Sequence, residues 1–457
     1  MNHVMTIREI VEQEIQAKNY TISSFSKLSG INRGVLSSTL HGSSPRPISI
    51  NQLDKMGQAL GKPEGWLYEQ FIEESCLQHT KVNWRKVRPL LLRCIELDRT
   101  QSVDQLITWI LQDSFYLTHI FELAEQLTAD EQLPSALPLY RSIVQYERNY
   151  QSEQLAISQY RIFQADTGEM IGQNFKAALV FQPFCANLPE DFMLDALLKL
   201  ANIYFTVKEW KHMSDCADQL MELSHAIYAR QCDSQSAEKS SLFRAARPLV
   251  VYYGQSYLMK FTVAELTQNY EEADYYLPHF ADLSWFHGLD DEGRYEVEKF
   301  KMYAAFNALN MELLRGNCSR LPIYKGLLQQ HPGEILASMN VILQSANMYG
   351  YDITEILEAF HDQIYSFESV NLMNQLEAWQ HNYKDLSIGV SRYIDLYYEL
   401  ALYHFNQKLY DENLAAILNM FECVIQQYGH EHLLHAHTLL KKMREMNLDL
   451  LQNQANT

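Results

Sequence analysis

Apolar residues recur every three or four positions through most of this 457-residue chain, which is the period of an amphipathic helix. Near the N terminus the pattern predicts a helix over residues 5–18 and further short helices up to about residue 72. No alternating, strand-like run bounded by a hairpin turn stands out, so we expect an all-α protein. The longer amphipathic segments are predicted at 102–113, 116–128, 134–148, 152–165, 190–206, 210–229, 247–267, 270–283, 292–314, 333–349, 353–369, 390–406, 410–428 and 431–446.

Residues 21–42 (TISSFSKLSGINRGVLSSTLHG) predict two short helices joined by a tight turn. Gly30 suits the positive φ that such a turn requires, and Asn32 is placed to cap the second helix. The apolar side chains of the second helix lie on the face opposite Arg33. This arrangement predicts a helix-turn-helix whose second helix enters the major groove of DNA. The candidate DNA contacts are Thr21, Ser23, Asn32, Arg33, Gly34, Ser37, Ser38 and His41.

Further short helices complete the predicted N-terminal domain. After a proline-containing loop at residues 43–47, Ser49 is expected to cap a fourth helix and Pro63 to begin a fifth. We therefore expect a five-helix domain over residues 1–75, a linker or first repeat helix over residues 76–100, and a helical-repeat domain over residues 101–450. The 76–100 segment is locally basic. Its basic face is either a solvated helix face or a contact to flanking phosphates.

Two motifs in the N-terminal domain resemble the Cro/C1 (XRE) type of helix-turn-helix. The first is K-L-x-G-I-N-R-x-x-x-S-x-x-x-x-G at 27–42, and the second is I-x-x-L-x-x-M-x-x-A-L-G at 50–61. The chain departs from the family at Ile22, where glutamine is common, and at Gly34 and Ser38, where longer polar side chains are common. Base readout is therefore expected to use fewer side chains or to depend on DNA shape.

One type of joint recurs between the helices of the C-terminal part, at residues 207–210 (VKEW), 268–273 (QNYEEA) and 407–410 (QKLY). Each joint ends one helix and opens another, with an aromatic residue at the turn. LLKLANIYF (197–205) and YYELALYHF (397–405) resemble the first helix of tetratricopeptide repeats. The expected fold is a right-handed, tetratricopeptide-like α-solenoid, in which stacked helix pairs form a concave inner face.

Together, the two parts resemble the peptide-pheromone receptors of Gram-positive bacteria, the RRNPP group, including the phage-borne arbitrium receptors. The resemblance implies a cytoplasmic quorum-sensing transcription regulator that forms a homodimer. It implies double-stranded DNA as one partner and a short signalling peptide, captured by the repeats, as another. In that family, asparagines on the inner helices hold the peptide.

Polar amides among aromatic residues mark the candidate peptide site. An asparagine side chain carries both a donor and an acceptor, so it can bond to an extended backbone as a neighbouring strand would. The alternative for each residue is a bond within its own helix or to water. The candidates are Asn202, Tyr204, Tyr303, Asn307, Asn310, Asn340, Gln344 and Asn347.

The charge is unevenly distributed along the chain. The net charge is −19, but residues 1–75 carry nearly equal numbers of basic and acidic side chains. Since phosphate contacts supply much of the affinity for DNA, a single near-neutral domain should bind weakly. A dimer would present two such domains and bind more tightly. The acidic remainder of the chain is expected to face away from DNA.

Other chemistry finds little support in the sequence. No G-x-S-x-G or G-x-x-x-x-G-K-[ST] motif occurs, so we expect neither catalysis nor a cofactor. Histidines cluster at His430, His432, His435 and His437, but Leu434 replaces the second histidine of the zinc-protease pattern. We expect no metal there. Arg230, Arg244 and Arg247 either hold a ligand carboxylate or lie in a solvated loop, and the loop is favoured.

The seven cysteines are scattered and form no C-x-x-C motif, which favours buried free thiols in a reducing compartment. No signal peptide or long apolar run appears, so we expect a cytoplasmic protein that does not insert into a membrane.

The favoured function is a peptide-responsive DNA-binding regulator. Two alternatives remain: a repeat scaffold that regulates a partner protein without specific DNA binding, and a DNA regulator without a peptide ligand.

Overall fold

The computed structural model describes residues 5–41, 46–77, 81–233, 245–365, 386–410, 412–428 and 437–443. Within these ranges the regular elements are helices and no strand occurs, so the all-α prediction is confirmed. The chain divides into two compact units, unit 1 (residues 1–162) and unit 2 (residues 163–457).

Unit 1 begins with five short helices, three of which start with a capping box. Thr6, Thr21 and Ser49 each accept a hydrogen bond from the backbone three residues on, and the side chain at that position bonds back to the cap. These five are α1 (Ile7–Ala17), α2 (Ile22–Ser29), α3 (Arg33–Leu40), α4 (Ile50–Ala59) and α5 (Tyr68–Ile72). They are followed by α6 (Trp84–Glu96), α7 (Thr100–Ile110), α8 (Leu117–Ala129) and α9 (Leu133–Tyr146), and α10 (Glu153–Asp166) begins in unit 1 and ends in unit 2. A π-helical turn, Glu73–Leu77, follows α5, and a 3-10 turn, Ser114–Tyr116, precedes α8.

The start of the fifth helix differs from the prediction. Pro63 was expected at its first position, but α5 begins at Tyr68. Gly65 and Leu67 both adopt positive φ, +74° and +67°, and a right-handed helix cannot include such residues. The chain therefore turns over residues 63–67 before the helix starts.

One hydrophobic cluster joins most of unit 1. Its buried members extend from Ile7 to Ile143 and come from α1–α9. Arg93 on α6 forms ion pairs with Asp54 at 3.7 Å and Glu64 at 3.0 Å, and these link α6 to the preceding short helices. The predicted boundaries at residues 75 and 100 thus lie inside one compact unit, because the short N-terminal helices share their core with the helices that follow.

Unit 2 contains the longer helices. They are α11 (Ile171–Phe181), α12 (Glu190–Thr206), α13 (Trp210–Asp233), α14 (Leu249–Leu266), α15 (Tyr270–Ala281), α16 (Asp291–Leu314), α17 (Leu321–Gln330), α18 (Ile335–Tyr349), α19 (Thr354–Ala359), α20 (His361–Ile364), α21 (Leu386–Asn406) and α22 (Glu412–Tyr428). Residues 437–443 are also helical. Short 3-10 segments occur at Gln182–Asn187, Cys318–Arg320 and Pro332–Glu334.

Two helices of unit 2 were not predicted, and one predicted helix is interrupted. Both α11 and α17 are short and contain a glycine, Gly172 or Gly326, which weakens the helical signal. The segment predicted over residues 353–369 breaks at Phe360 into α19 and α20, and its end lies outside the described residues. Most of the helix predicted over 431–446 also lies outside them.

The helices of unit 2 form two layers. The inner layer comprises α12, α14, α16, α18 and α21, and each of these packs against the next. The first and last also pack against each other, and Lys208 forms an ion pair with Asp395 at 2.7 Å across this contact. The outer helices α13, α15 and α17 follow α12, α14 and α16, and each packs on its inner neighbour. The inner layer therefore closes on itself.

A common turn ends the first helix of most helix pairs. After α12, the N–H of Lys208 donates to the carbonyl of Phe205 at 3.1 Å, and that of Glu209 to Tyr204 at 2.9 Å. These are the two bonds of the Schellman motif. The same two bonds follow α16, where the left-handed residue is Gly316, whereas α18 ends at the left-handed Gly350 with a bond to the carbonyl of Ala346 at 2.8 Å. The non-glycine positions are Asp98, Glu131, Lys208, Gln268 and Lys408, with φ of +51° to +61°.

No helix in the described ranges is both long enough and apolar enough to cross a membrane.

Candidate functional site

The turn between α2 and α3 has the geometry predicted from the sequence. Gly30 ends α2 with φ +66°, and Ile31 is buried next to it. Asn32 then caps α3, because its side-chain oxygen accepts hydrogen bonds from the N–H groups of Gly34 at 2.8 Å and Val35 at 3.4 Å. These contacts fix where α3 begins and which of its faces packs into the core.

The exposed face of α3 presents few side chains. Arg33, Gly34 and Ser37 are exposed, as is Ser23 on α2. The other four predicted contacts have partners within unit 1. Thr21 and Asn32 form the helix caps, Ser38 Oγ donates to the carbonyl of Val35 at 2.9 Å, and His41 Nδ1 lies 3.1 Å from a Glu12 oxygen.

Two arginines that the motif reasoning did not include lie beside α3. The backbone N–H of Arg46 donates to the carbonyl of Ser38 at 3.2 Å. The guanidinium of Arg8 on α1 donates to the carbonyl of Arg46 at 3.3 Å. The chain that leaves α3 therefore brings basic groups near the C-terminal end of the exposed face. Only the tertiary structure places Arg8 there, because it is far from α3 in sequence.

Some basic residues before and within α6 make contacts inside unit 1, and others are exposed. Arg93 forms ion pairs within the unit, and Arg88 donates to the Gln126 side chain at 2.7 Å. Lys81, Arg85 and Lys86 are exposed. Only these three could bind phosphates without giving up a contact shown by the structure.

Tyr204 does not face a ligand surface, contrary to its predicted role. Its side chain is fully buried, and its hydroxyl donates to the Gln182 side chain at 2.5 Å. Burial raises the pKa of Tyr204 to about 12. Asn202 lies two positions earlier on α12, points to a different face and remains partly exposed.

The predicted row on α16 is split between the core and the surface. Asn310 is buried and accepts a hydrogen bond from the Tyr324 hydroxyl at 2.6 Å. Its amide donates to Asn307 at 3.4 Å. Asn307 and Tyr303 keep part of their surface. Asn310 thus joins α16 to α17, which differs from its predicted contact with a peptide.

Two amides of the predicted row on α18 already bind a backbone of the protein. Asn340 donates to the carbonyl of Arg392 at 3.0 Å, and Asn347 donates to the carbonyl of Glu399 at 2.9 Å. Asn347 also donates to the Glu399 carboxylate at 2.8 Å. Both act on α21, so these side chains hold two inner helices together. Gln344, which lies between them, remains partly exposed.

Two carboxyl groups of the inner layer lie deep within unit 2. Burial raises the pKa of Glu265 on α14 to about 7, against a hydrogen bond from Asn310 that lowers it. Burial likewise raises the pKa of Glu399 on α21 to about 7, against the bond from Asn347. Both side chains keep part of their accessible surface. The sequence offered no signal for either residue.

Some remaining candidates have structural contacts of their own. Arg230 binds Glu190 at 2.6 Å, and the backbone N–H of Arg247 donates to the Tyr252 hydroxyl at 3.1 Å. Arg244, His430, His432 and His435 lie outside the described residues. No group of metal-ligating side chains occurs among the residues that the structure describes.

The seven cysteines are free, but not all of them are buried as predicted. Burial raises the pKa of the interior thiols, to about 11 for Cys76 and about 12 for Cys94, Cys185 and Cys216. The exposed thiols are Cys232, Cys318 and Cys423.

Comparisons with known proteins add little to this picture. No protein-family model and no curated protein matches the chain. One solved structure is similar, a circular tandem repeat protein with novel repeat topology and enhanced subunit contact surfaces. It is 11% identical, the match covers 96% of this chain and 90% of that one, and the TM-score is 0.18.

Proposed function

We propose that the protein is a cytoplasmic transcription regulator that binds DNA through α3 and is controlled by a short peptide bound in unit 2. The observation that carries the first half is the exposed face of α3, with Arg33 at its start. α3 begins after a left-handed glycine turn, and α2 packs against it. A helix held in this way can enter a major groove with its N-terminal residues toward the bases.

The nearby cations support the same assignment. Arg8 and Arg46 lie next to the C-terminal end of α3 and could contact phosphates, while Arg33 reads a base edge. Because so few basic groups take part, a single copy should bind weakly and with a shallow salt dependence. We therefore include a homodimer in the proposal, with two α3 helices about one helical turn of DNA apart.

The peptide half of the proposal is based on the inner layer of unit 2. Asn202, Tyr303, Asn307 and Gln344 keep partly exposed polar side chains on three of its five helices. The neighbouring helices α12 and α21 close the layer through Lys208 and Asp395. A peptide bound among these residues would change the packing of α12 on α21. In a dimer, that change would alter the spacing of the DNA-binding helices.

A mobility-shift assay on the promoter region of its own gene tests the DNA half. Wild-type protein should shift this fragment specifically, and Arg33→Ala should weaken binding by about 1–3 kcal/mol. Arg148→Ala is the matched control, because it removes one exposed positive charge from the same unit. If the protein is confirmed to be a dimer but does not shift the fragment specifically, the proposal is contradicted. That result would favour the alternative of a repeat scaffold that regulates a partner protein.

Calorimetry tests the peptide half, with short synthetic peptides encoded by small open reading frames beside the gene. Asn202→Ala and Gln344→Ala should each weaken binding several-fold, since each removes an amide from the inner layer. Gln219→Ala on the outer helix α13 is the control and should bind normally. Binding that survives both inner-layer substitutions would place the peptide elsewhere.

A further inference from the structure

The start of α6 is strongly basic, and the proposed function does not use it. Residues 81–93 (KVNWRKVRPLLLR) contain five basic side chains and no acidic one. Arg88 and Arg93 make contacts inside unit 1. The other three side chains are exposed, and we refer to them as the basic patch: Lys81, Arg85 and Lys86.

The basic patch is not neutralised within the part of the chain that the structure describes. None of its three side chains forms an ion pair or a hydrogen bond with another residue of these ranges. Arg85 and Lys86 lie in the first turn of α6, outside the buried face that begins at Val87. Their charges are therefore accessible to a negatively charged partner.

Helix stability does not explain cations at this position. The positive end of the helix dipole favours acidic side chains in the first turn, and a cation there costs about 0.3–1 kcal/mol. Helices α12 and α16 follow this preference, with two acidic residues each in their first turns. The first turn of α6 has no acidic residue, and Asn83 forms no side-chain cap. Arg85 and Lys86 thus reduce the stability of α6, which favours a role in binding.

The backbone that carries the basic patch is held by contacts with the start of α8. The Trp84 ring meets the His119 ring edge-on, with centroids 5.5 Å apart. The Tyr116 hydroxyl donates to the carbonyl of Val82 at 3.0 Å, and Val82 directly follows Lys81. Binding therefore needs to order only the side chains of the patch, which lowers its entropic cost.

The basic patch lies close to the start of α1. Lys81 follows Leu77 by four residues, so their Cα atoms are at most about 14 Å apart. Leu77 ends the π-helical turn that contains Glu74, and Glu74 accepts a hydrogen bond from the N–H of Ile7 at 2.8 Å. The next residue of α1 is Arg8, whose guanidinium binds the chain that leaves α3. Contacts within unit 1 thus connect the basic patch to the cations beside α3.

We propose that the basic patch binds phosphates of double-stranded DNA next to the segment that α3 contacts. The inference rests on the proposed function, because α3 determines where the duplex lies. Phosphates recur along a duplex whatever its sequence, so neighbouring cations can bind them without reading bases. The patch supplies positive charge that residues 1–75 lack, since these carry nearly equal numbers of basic and acidic side chains.

Binding of the full chain to two duplexes over a range of salt concentrations tests the proposal. One duplex is the promoter fragment, and the other has the same length and composition but a shuffled sequence. The triple variant Lys81→Gln, Arg85→Gln, Lys86→Gln should bind both duplexes about tenfold or more weakly at low salt. The slope of log affinity against log salt concentration should become shallower by about 2 to 3. An unchanged slope would overturn the proposal.

A matched variant separates the patch from the net charge of the chain. Arg148→Gln, Lys176→Gln, Lys211→Gln removes three exposed cations from other helices and loops. It should bind both duplexes within about twofold of wild type and keep the salt slope. A loss equal to that of the patch variant would overturn the proposal. Arg85→Lys should bind like wild type, because a phosphate contact needs only the charge; a changed preference between the duplexes would show a base contact instead.

The same titrations distinguish this inference from the proposed function. Arg33→Ala should reduce the preference for the promoter fragment, whereas the patch variant should weaken both duplexes and leave that preference unchanged. If Arg33→Ala behaves as expected but the patch variant keeps the wild-type slope, only the inference about the patch fails. If wild type shows no preference and the patch variant still lowers the slope, only α3 as the reader of bases fails. If wild type binds neither duplex, both fail, and an acidic protein surface becomes the partner of matching charge.

Discussion

The exposed face of α3 and the inner layer of unit 2 both carry polar side chains at helical spacing, but they use them differently. On α3, Arg33 and Ser37 extend into solvent. On α18, Asn340 and Asn347 bind the backbone of a neighbouring helix. The same residue pattern therefore serves an open surface in one unit and helix–helix packing in the other. A row of amides becomes evidence for a ligand only when the structure shows which of them remain accessible.

The closest packing in the inner layer is at Gly254 on α14. A larger side chain at this position should destabilise unit 2 and leave α3 unchanged. A Cβ atom added to Gly254 on α14 would lie 2.4 Å from the Phe300 ring of α16, which is buried and cannot move away. We expect Gly254→Val to lower the free energy of unfolding of unit 2 by about 3 kcal/mol or more. Hydrogen exchange would detect this as lost protection in α14 and α16. Gly326→Val, at a glycine with open space around it, is the control.

Removal of an inner amide tests its structural role directly. Asn347→Ala should lower the free energy of unfolding by about 2 kcal/mol, because the buried Glu399 carboxylate loses a donor. Chemical denaturation measures this difference. Gln344→Ala, one turn earlier on the same helix and partly exposed, should change it by less than about 0.5 kcal/mol. Equal losses of stability in the two variants would show that Asn347 contributes no more to helix packing than Gln344 does.

The buried carboxyl groups predict how the stability of unit 2 depends on pH. The folded-state pKa of Glu265 is raised to about 7 from 4.5, so the folded state binds its proton more tightly than the unfolded state. The contribution of this group to stability is present below pH 4.5 and is lost as the pH rises through 7. We expect Glu265→Gln to be more stable than wild type by about 3 kcal/mol at pH 8 and similar to it at pH 4.5. Denaturant titrations at both values measure the difference, with the exposed Glu222→Gln as the control.

The smallest expected effect concerns the cap of α3. Asn32→Ala removes the acceptor for the N–H groups of Gly34 and Val35 and should cost about 1 kcal/mol. Hydrogen exchange at these two amides would report the loss locally. Ser23→Ala, exposed on α2 and outside any cap, should leave both amides protected. If Asn32→Ala also weakens the free energy of DNA binding by more than about 1 kcal/mol, Asn32 contacts DNA as well as capping the helix.

Local features were the most predictable from the sequence. The caps of α2 and α3, the left-handed Gly30 and the bounds of α12 follow from residues that are close together in the chain. The sequence did not predict the start of α5, because no local pattern indicates the left-handed conformation of Leu67, which packs against the core of unit 1. The extent of unit 1 was missed for a related reason: two predicted domains bury their apolar faces in one core.

The candidate site was less predictable than the fold. The helical spacing of Asn340, Gln344 and Asn347 predicts that they share one face of α18, and this prediction is correct. It could not show that α21, about 50 residues later, lies against that face. Nor could it single out Glu265 and Glu399, which look like ordinary surface glutamates until burial raises their pKa. Only the long-range packing separates structural amides from accessible ones.

The contact between α12 and α21 limits how this chain can evolve. An open solenoid can gain or lose a repeat at either end or in the middle, because each repeat touches only its neighbours. Here the first inner helix must meet the last one, and Lys208 must reach Asp395. Inserting or deleting a helix pair between them would separate these partners. Homologous chains with unit 2 should therefore keep the number of inner helices constant, even where loop lengths and surface residues diverge.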